Sequence, residues 1–283
     1  METNLLFEEN ANKINIFDEV YPFRAAQEQA EKKKLSAFGM LAKFNPLNRP
    51  KEDTVSLSKQ EVRYEPLWHL VARREVDFSC EQTYPVVIQN AYACSVQING
   101  QTMEIERQGG KGQIVLKGLE SCQRKIEFSH YTDGLKREIK PATLESYIRK
   151  YRYTEVESLD KPEAIVPLVS MTSLIQTAKI KLGSEAINAF EIFRDQIIFE
   201  KAHIYFRPVF AFEFVWNPSD KRGVIEIDGL TGEIIENGQW FKEKVKQVLT
   251  REVLFEISAE VAGSLVPGAG VAMKAVSKAV GSK

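Results

Sequence analysis

A chain of 283 residues with 43% hydrophobic residues has enough apolar mass for one large or two small globular domains. Its 38 Lys and Arg against 39 Asp and Glu leave a net charge of -1, which supplies no overall field for phosphate backbones and argues against a nucleic-acid partner. Cys80, Cys94 and Cys122, without a CxxC, make neither a disulfide framework nor a closed zinc site, and Glu2, Glu8 and Glu9 stand where a signal peptide would be basic and then apolar; together these predict a cytoplasmic setting.

In chain order, the alanines and the spacing of Leu35, Phe38, Leu41 and Ala42 predict a helix over Asp18 to Phe44. Pro46, Asn48 and Pro50 end it. Residues 1–50 thus read as a helical arm and linker. Residues 51–160 read as a first α+β unit. It has strand-like segments at Val62 to Val71, Val86 to Ile88 and Tyr92 to Ile98, a hairpin turn at Asn99 and Gly100, a glycine-rich connection at Gly109, Gly110 and Gly112, and a short helix at Leu144 to Tyr151.

Residues 161–238 read as a second unit. Leu174, Ile175, Ala178 and Leu182 make a helical stripe that Ile187, Phe190, Phe193 and Ile197 extend. A strand at Ile204 to Trp216 and a hairpin at Asp228 and Gly229 follow. Residues 239–283 form a Gly- and Ala-rich tail in which Phe241, Val245, Leu249, Val253, Ile257, Val261 and Leu265 recur every four residues, as on a helix. The fold class expected is therefore α+β: two related β-rich units with covering helices and helical arms at both ends.

The relation between the units is read from recurring residues. Val62, Tyr64, Pro66, Leu67 and Trp68 match Ile204, Phe206, Pro208, Val209 and Phe210 in type, and Ile98, Asn99, Gly100, Thr102, Glu104 and Ile105 match Ile227, Asp228, Gly229, Thr231, Glu233 and Ile234. A proline within a strand predicts an edge position or a strand start. The run from Ile225 to Ile234 resembles the closing hairpin of PepSY-like domains, with a weaker echo over Val62 to Ile105. That resemblance implies a binding or inhibitory module rather than a catalyst.

No GxSxG, HExxH, P-loop or dinucleotide fingerprint occurs, so no catalytic residue, metal ligand or cofactor is assigned. Asp228 and Glu233 could hold a cation or a peptide amine across their turn, but Asn99 at the matching position favours turn geometry. The ends carry the functional expectation. Arg24, Lys32, Lys33, Lys34, Lys43, Arg49 and Lys51 outnumber Glu28 and Glu31, and the tail combines small apolar residues with lysines. Phe38, Leu41, Ile257, Leu265, Val271 and Met273 are the expected contact residues of a non-catalytic binding or scaffold protein. Its partner is itself, another protein or a membrane surface. The alternatives are a metal-dependent hydrolase using His69 or His203 and a peptide-binding inhibitor using a strand edge near Pro66 or Pro208.

Overall fold

A computed structural model describes residues 3–39, 49–236, 238, 248–258, 261 and 275–276. The chain opens with two short strands, β1 (Asn4–Phe7) and β2 (Asn12–Phe17). Helix α1 (Phe23–Lys33) and a 3-10 segment (Lys34–Phe38) lead to β3 (Val55–Ile88). A small hairpin of β4 (Ser95–Ile98) and β5 (Gln101–Glu104), then β6 (Glu106–Gln108), precede the long β7 (Lys111–Asp133). Helix α2 (Pro141–Lys150), β8 (Tyr153–Val156), β9 (Ser158–Leu159) and α3 (Met171–Gly183) come next. The chain then enters β10 (Glu191–Trp216), β11 (Lys221–Asp228) and β12 (Ile234–Glu236). Close to the end lie β13 (Leu249–Thr250), the single turn α4 (Arg251–Leu254) and β14 (Ile257–Ser258), which pairs in parallel with β15 (Ala275–Val276).

The expected α+β class with helical arms is corrected by this arrangement. Among the described residues 53% are strand and 20% helix, the α-helices number four, and one large mixed sheet dominates. Its order is β12-β11-β10-β3-β7-β6. The far edge of β10 is served in succession by β1 and β2, both parallel, and by antiparallel β11. At the start of the chain, β1 and β2 sit against β10, and among the described residues there only Phe23 to Lys33 is α-helix. At the far end, the four-residue spacing is realised as β13, α4 and β14, because Leu249, Leu254, Phe255, Ile257 and Val261 all turn into the main core. Phe241, Val245 and Leu265 lie outside the described residues.

The helical stripe expected over Ile187 to Ile197 is corrected too: Ile187 to Phe190 lie outside any helix or strand, and strand β10 begins at Glu191. β10 pairs with β3 from Glu191 onward, which satisfies the backbone groups in a ladder and buries Ile197 and Phe199, while Phe190 and Phe193 stay exposed. The strands expected at Val62 to Val71 and at Val86 to Ile88 are a single continuous strand, the 34-residue β3.

The two faces of the sheet are unlike. Phe206, Phe210, Phe212 and Phe214 alternate along β10 onto one face, where α3 covers Trp68, Leu70 and Phe206, and α1 covers Phe210, Phe212, Ile225 and Ile227. Trp68 Nε1 donates to the Val169 carbonyl at 3.0 Å beside α3. On the other face Leu67 and Tyr205 pack under Leu144 and Tyr147 of α2.

Both strand prolines sit in interior strands, not at an edge. Pro66 faces Phe206 and Pro208 faces Tyr64 in the β3–β10 ladder. Each stands one step beyond the point where its other neighbour ends, at Leu67 opposite Asp133 and Val209 opposite Asp228. The missing amide therefore falls where no ladder acceptor remains, and each proline carbonyl still accepts, from Gly134 N at 2.8 Å and Gly229 N at 2.9 Å.

Candidate functional site

The face under α2 carries charge where the other carries phenylalanine. Glu65 and Arg207 lie directly opposite in the β3–β10 ladder, and alternation places Arg63, Glu65, Arg207, Glu226 and Asp228 on the same side. All five are buried. Arg63 Nε donates to Glu65 Oε1 at 2.7 Å, and its Nη2 meets Glu226 Oε1 at 2.7 Å. Glu65 Oε2 accepts from Arg137 Nη2 at 2.6 Å and Arg207 Nη2 at 3.1 Å. Arg207 also pairs with Asp228, whose Oδ2 accepts from the Tyr147 hydroxyl at 2.8 Å. Burial alone would raise the Glu65 carboxyl, but Arg207, Arg63 and Arg137 hold it down at about 2. Burial pushes the Tyr147 hydroxyl up, so it remains a donor.

Each charge in this network already has protein partners, which makes it a structural bolt. Asp228 shows why: its Oδ1 also accepts from Leu230 N at 2.8 Å and Thr231 N at 3.1 Å. Glu233 lies exposed beyond the turn, whereas Asp228 is buried and engaged by Arg207, Tyr147 and its own turn. Asn99 and Gly100 match Asp228 and Gly229 in sequence, but a different segment matches them in space. Asn99 and Gly100 turn the separate β4–β5 hairpin. Asp133 Oδ2 accepts from Leu135 N and Arg137 N at 3.0 Å, as Asp228 does from its own turn. A Cβ on Gly134 would fall 2.7 Å from Pro66 O, and one on Gly229 would fall 2.7 Å from Pro208 O. The signal was in the sequence: Asp133, Gly134, Leu135, Glu138 and Ile139 recur as Asp228, Gly229, Leu230, Glu233 and Ile234.

The histidines proposed for a hydrolase are partly brought together. His69 faces His203 in the ladder, and its ring stacks on Tyr131 with centroids 4.1 Å apart. Ser129 Oγ lies 3.4 Å from His69 Nε2, and the Tyr205 hydroxyl 3.3 Å from His203 Nδ1. Burial, with Lys201 and the neighbouring histidine, lowers His69 to about 4; burial, with Lys13 and Lys201, lowers His203 to about 4. Both are thus neutral near pH 7. His130 is on the opposite face, beside Phe128. No group of three His, Cys, Asp or Glu side chains with metal-ligand spacing exists among the described residues.

A third feature lies where β10 ends. Its pairing with β3 runs only from Trp216 opposite Val55 to Glu191 opposite Ser79, whereas the β3–β7 ladder continues to Ile88 and Gly112. Cys80 to Ile88 and Gly112 to Glu120 therefore project as a two-stranded ribbon, topped by the β4–β5 hairpin. Val87 is 62% exposed, Leu119 59% and Val115 43%, and Tyr84 and Val86 are exposed on the other face. A shallow groove beside Leu119 is lined by Glu81, Thr83, Lys117 and Phe190.

Two of the expected contact residues fall among the described residues. Phe38 packs edge-on to Trp216, with ring centroids 6.1 Å apart, and Ile257 is buried in the main core. Both contact their own chain. Leu41, Leu265, Val271 and Met273 lie outside the described residues. No described helix is long and apolar enough to cross a membrane. No family model, no curated protein and no solved structure matches the chain.

Proposed function

We propose that this chain is a non-catalytic scaffold protein that associates with copies of itself. The observation that carries the reading is the projecting ribbon, which offers Val87, Val115 and Leu119 on one face and Tyr84 and Val86 on the other and which, among the described residues, is widened only at its tip, where β6 pairs with Lys111 to Gln113. A two-stranded ribbon is marginal alone in water, and apolar residues exposed on both faces of one mark a contact surface. Its charges are mixed, with Glu81, Glu104, Glu106 and Glu120 against Arg107, Lys111 and Lys117, which suits a protein partner better than a nucleic acid or an anionic membrane.

This reading keeps the scaffold role and moves its contact surface from the ends to the ribbon, because Phe38 and Ile257 are engaged internally. The PepSY-like resemblance of Ile225 to Ile234 supports it as a binding-module signature, and the low cysteine count supports a cytoplasmic location. Sedimentation equilibrium of the full chain tests it. Wild type sediments above monomer mass, and a variant with Val87→Thr, Val115→Thr and Leu119→Thr shifts toward monomer. A wild-type monomer at every concentration would overturn the reading.

A further inference from the structure

We infer that the outer edge of β7 is the seam of a homodimer, in which β7 of one copy pairs antiparallel with β7 of a second about a two-fold axis at Cys122. The inference rests on the self-association reading and specifies its geometry.

β7 is an open edge. Beyond the three residues Lys111 to Gln113 that hold β6, no described strand pairs with its outer side. The direction of its backbone follows from the ladder. Phe190 N donates to Ser79 O at 2.7 Å, so Ser79 turns its backbone groups away from β7. The β3–β7 register is unbroken from Leu67 to Ile88, so the odd-numbered residues of β3 share that direction and the odd-numbered residues of β7 turn to its own outer edge. Those from Val115 to Ser129 are all exposed. The corresponding edge of β3 is guarded, because Pro85 stands at an outward position and offers no donor. β7 contains no proline.

The sequence of this edge complements itself in one register. Centring the pair on Cys122 sets Lys117 against Glu127, Glu120 against Arg124 and Leu116 against Phe128, each twice by symmetry. Centring on Ser121 sets Lys117 against Lys125, and centring on Gln123 sets Glu120 against Ile126. A one-residue slip pairs outward with inward backbone groups and breaks the ladder. Some of these side chains already have partners in their own chain: Arg124 pairs with Glu185 at 2.8 Å, Lys125 with Glu127 at 2.9 Å, and Tyr84 donates to Glu120. The dimer adds a second partner to each. Charged edge residues normally prevent strand addition, and here they restrict it to the register in which opposite charges meet.

The axis makes the proposal testable by chemistry. Cys122 and its copy form a non-hydrogen-bonded pair, the antiparallel position where Cα atoms approach to about 4.5 Å, which is within disulfide range. In a Cys80→Ala, Cys94→Ala variant, hydrogen peroxide oxidises the two Cys122 thiols to one disulfide and is itself reduced to two waters. The expected result is a covalent dimer that thiol reductant reverses. Lys117→Glu weakens the non-covalent wild-type dimer by about tenfold in Kd, and Lys117→Glu with Glu127→Lys restores it. Gln123→Pro, which removes an outward donor, gives a folded monomer by circular dichroism and sedimentation. A wild-type dimer that neither crosslinks at Cys122 nor responds to Lys117→Glu overturns the seam and leaves self-association standing. A strict monomer overturns both.

Discussion

Glu65 and Arg207 stand directly opposite each other in the two central strands, joined at 3.1 Å in a site closed to solvent. Removing one partner leaves the other charge buried and uncompensated, so Glu65→Gln and Arg207→Met each lower stability by about 3–5 kcal/mol. The double variant loses less than the sum of the two. Urea unfolding of the four proteins gives the coupling directly, and strict additivity would show that the pair does not act as a unit.

Acid sensitivity has two stages. His69 and His203 are held neutral down to about 4, below their ordinary 6.5, so the unfolded chain takes up protons first as the pH falls. Their contribution is complete above 6.5 and disappears between 6.5 and 4. Glu65, held at about 2, contributes fully above the ordinary carboxylate range and loses that contribution as the pH falls from there toward 2. A His69→Gln, His203→Gln variant should flatten the stability curve between pH 6.5 and 4 while leaving the lower limb intact. An unchanged slope would remove the histidines from the account.

The two Pro–Gly contacts act as spacers that bring each turn onto the strand beneath it. Alanine at Gly134 or Gly229 places a methyl group 2.7 Å from a proline carbonyl oxygen, backbone that cannot swing aside. Each substitution lowers stability by about 1–3 kcal/mol. Alanine at Gly183, where a Cβ meets nothing within 4 Å, serves as the control in thermal melts.

The short strand β14 is built into the core. Ile257→Ala removes a side chain buried beside Phe255 and Leu254 and costs about 2–5 kcal/mol, whereas Val253→Ala, at an exposed position, stays within about 0.5 kcal/mol. If instead Ile257→Ala alters only association and leaves the melting temperature unchanged, the end of the chain contacts a partner rather than its own domain.

Strand content around Pro66 and Pro208 was legible because Val, Ile, Phe and Tyr crowd there, and α2 and α3 were legible from Pro141 and the stripe at Leu174 to Leu182. The charged bolt was not. Nothing local singles out Glu65 and Arg207, because alternation places each on a face of its strand but does not say that the two strands pair or that a helix closes over that face. Phe190 and Phe193 misled in the opposite direction, since their three- and four-residue spacing fits a helix, whereas Phe190 N bonds Ser79 O just before β10 begins and Phe193 falls at a register shift within that strand.

By itself the sequence determined local character: β-rich halves, turns at Asp228 and Asn99, and a recurring Asp-Gly-Leu segment whose turn geometry is set within a few residues. Only the tertiary structure decided which strands meet, that β10 leaves β3 at Ser79 while β7 runs on, and that no described strand pairs with the outer edge of β7 from Val115 to Ser129. Pairing partners lie more than a hundred residues apart for β3 and β10, and no short-range periodicity encodes where one ladder ends and the next continues.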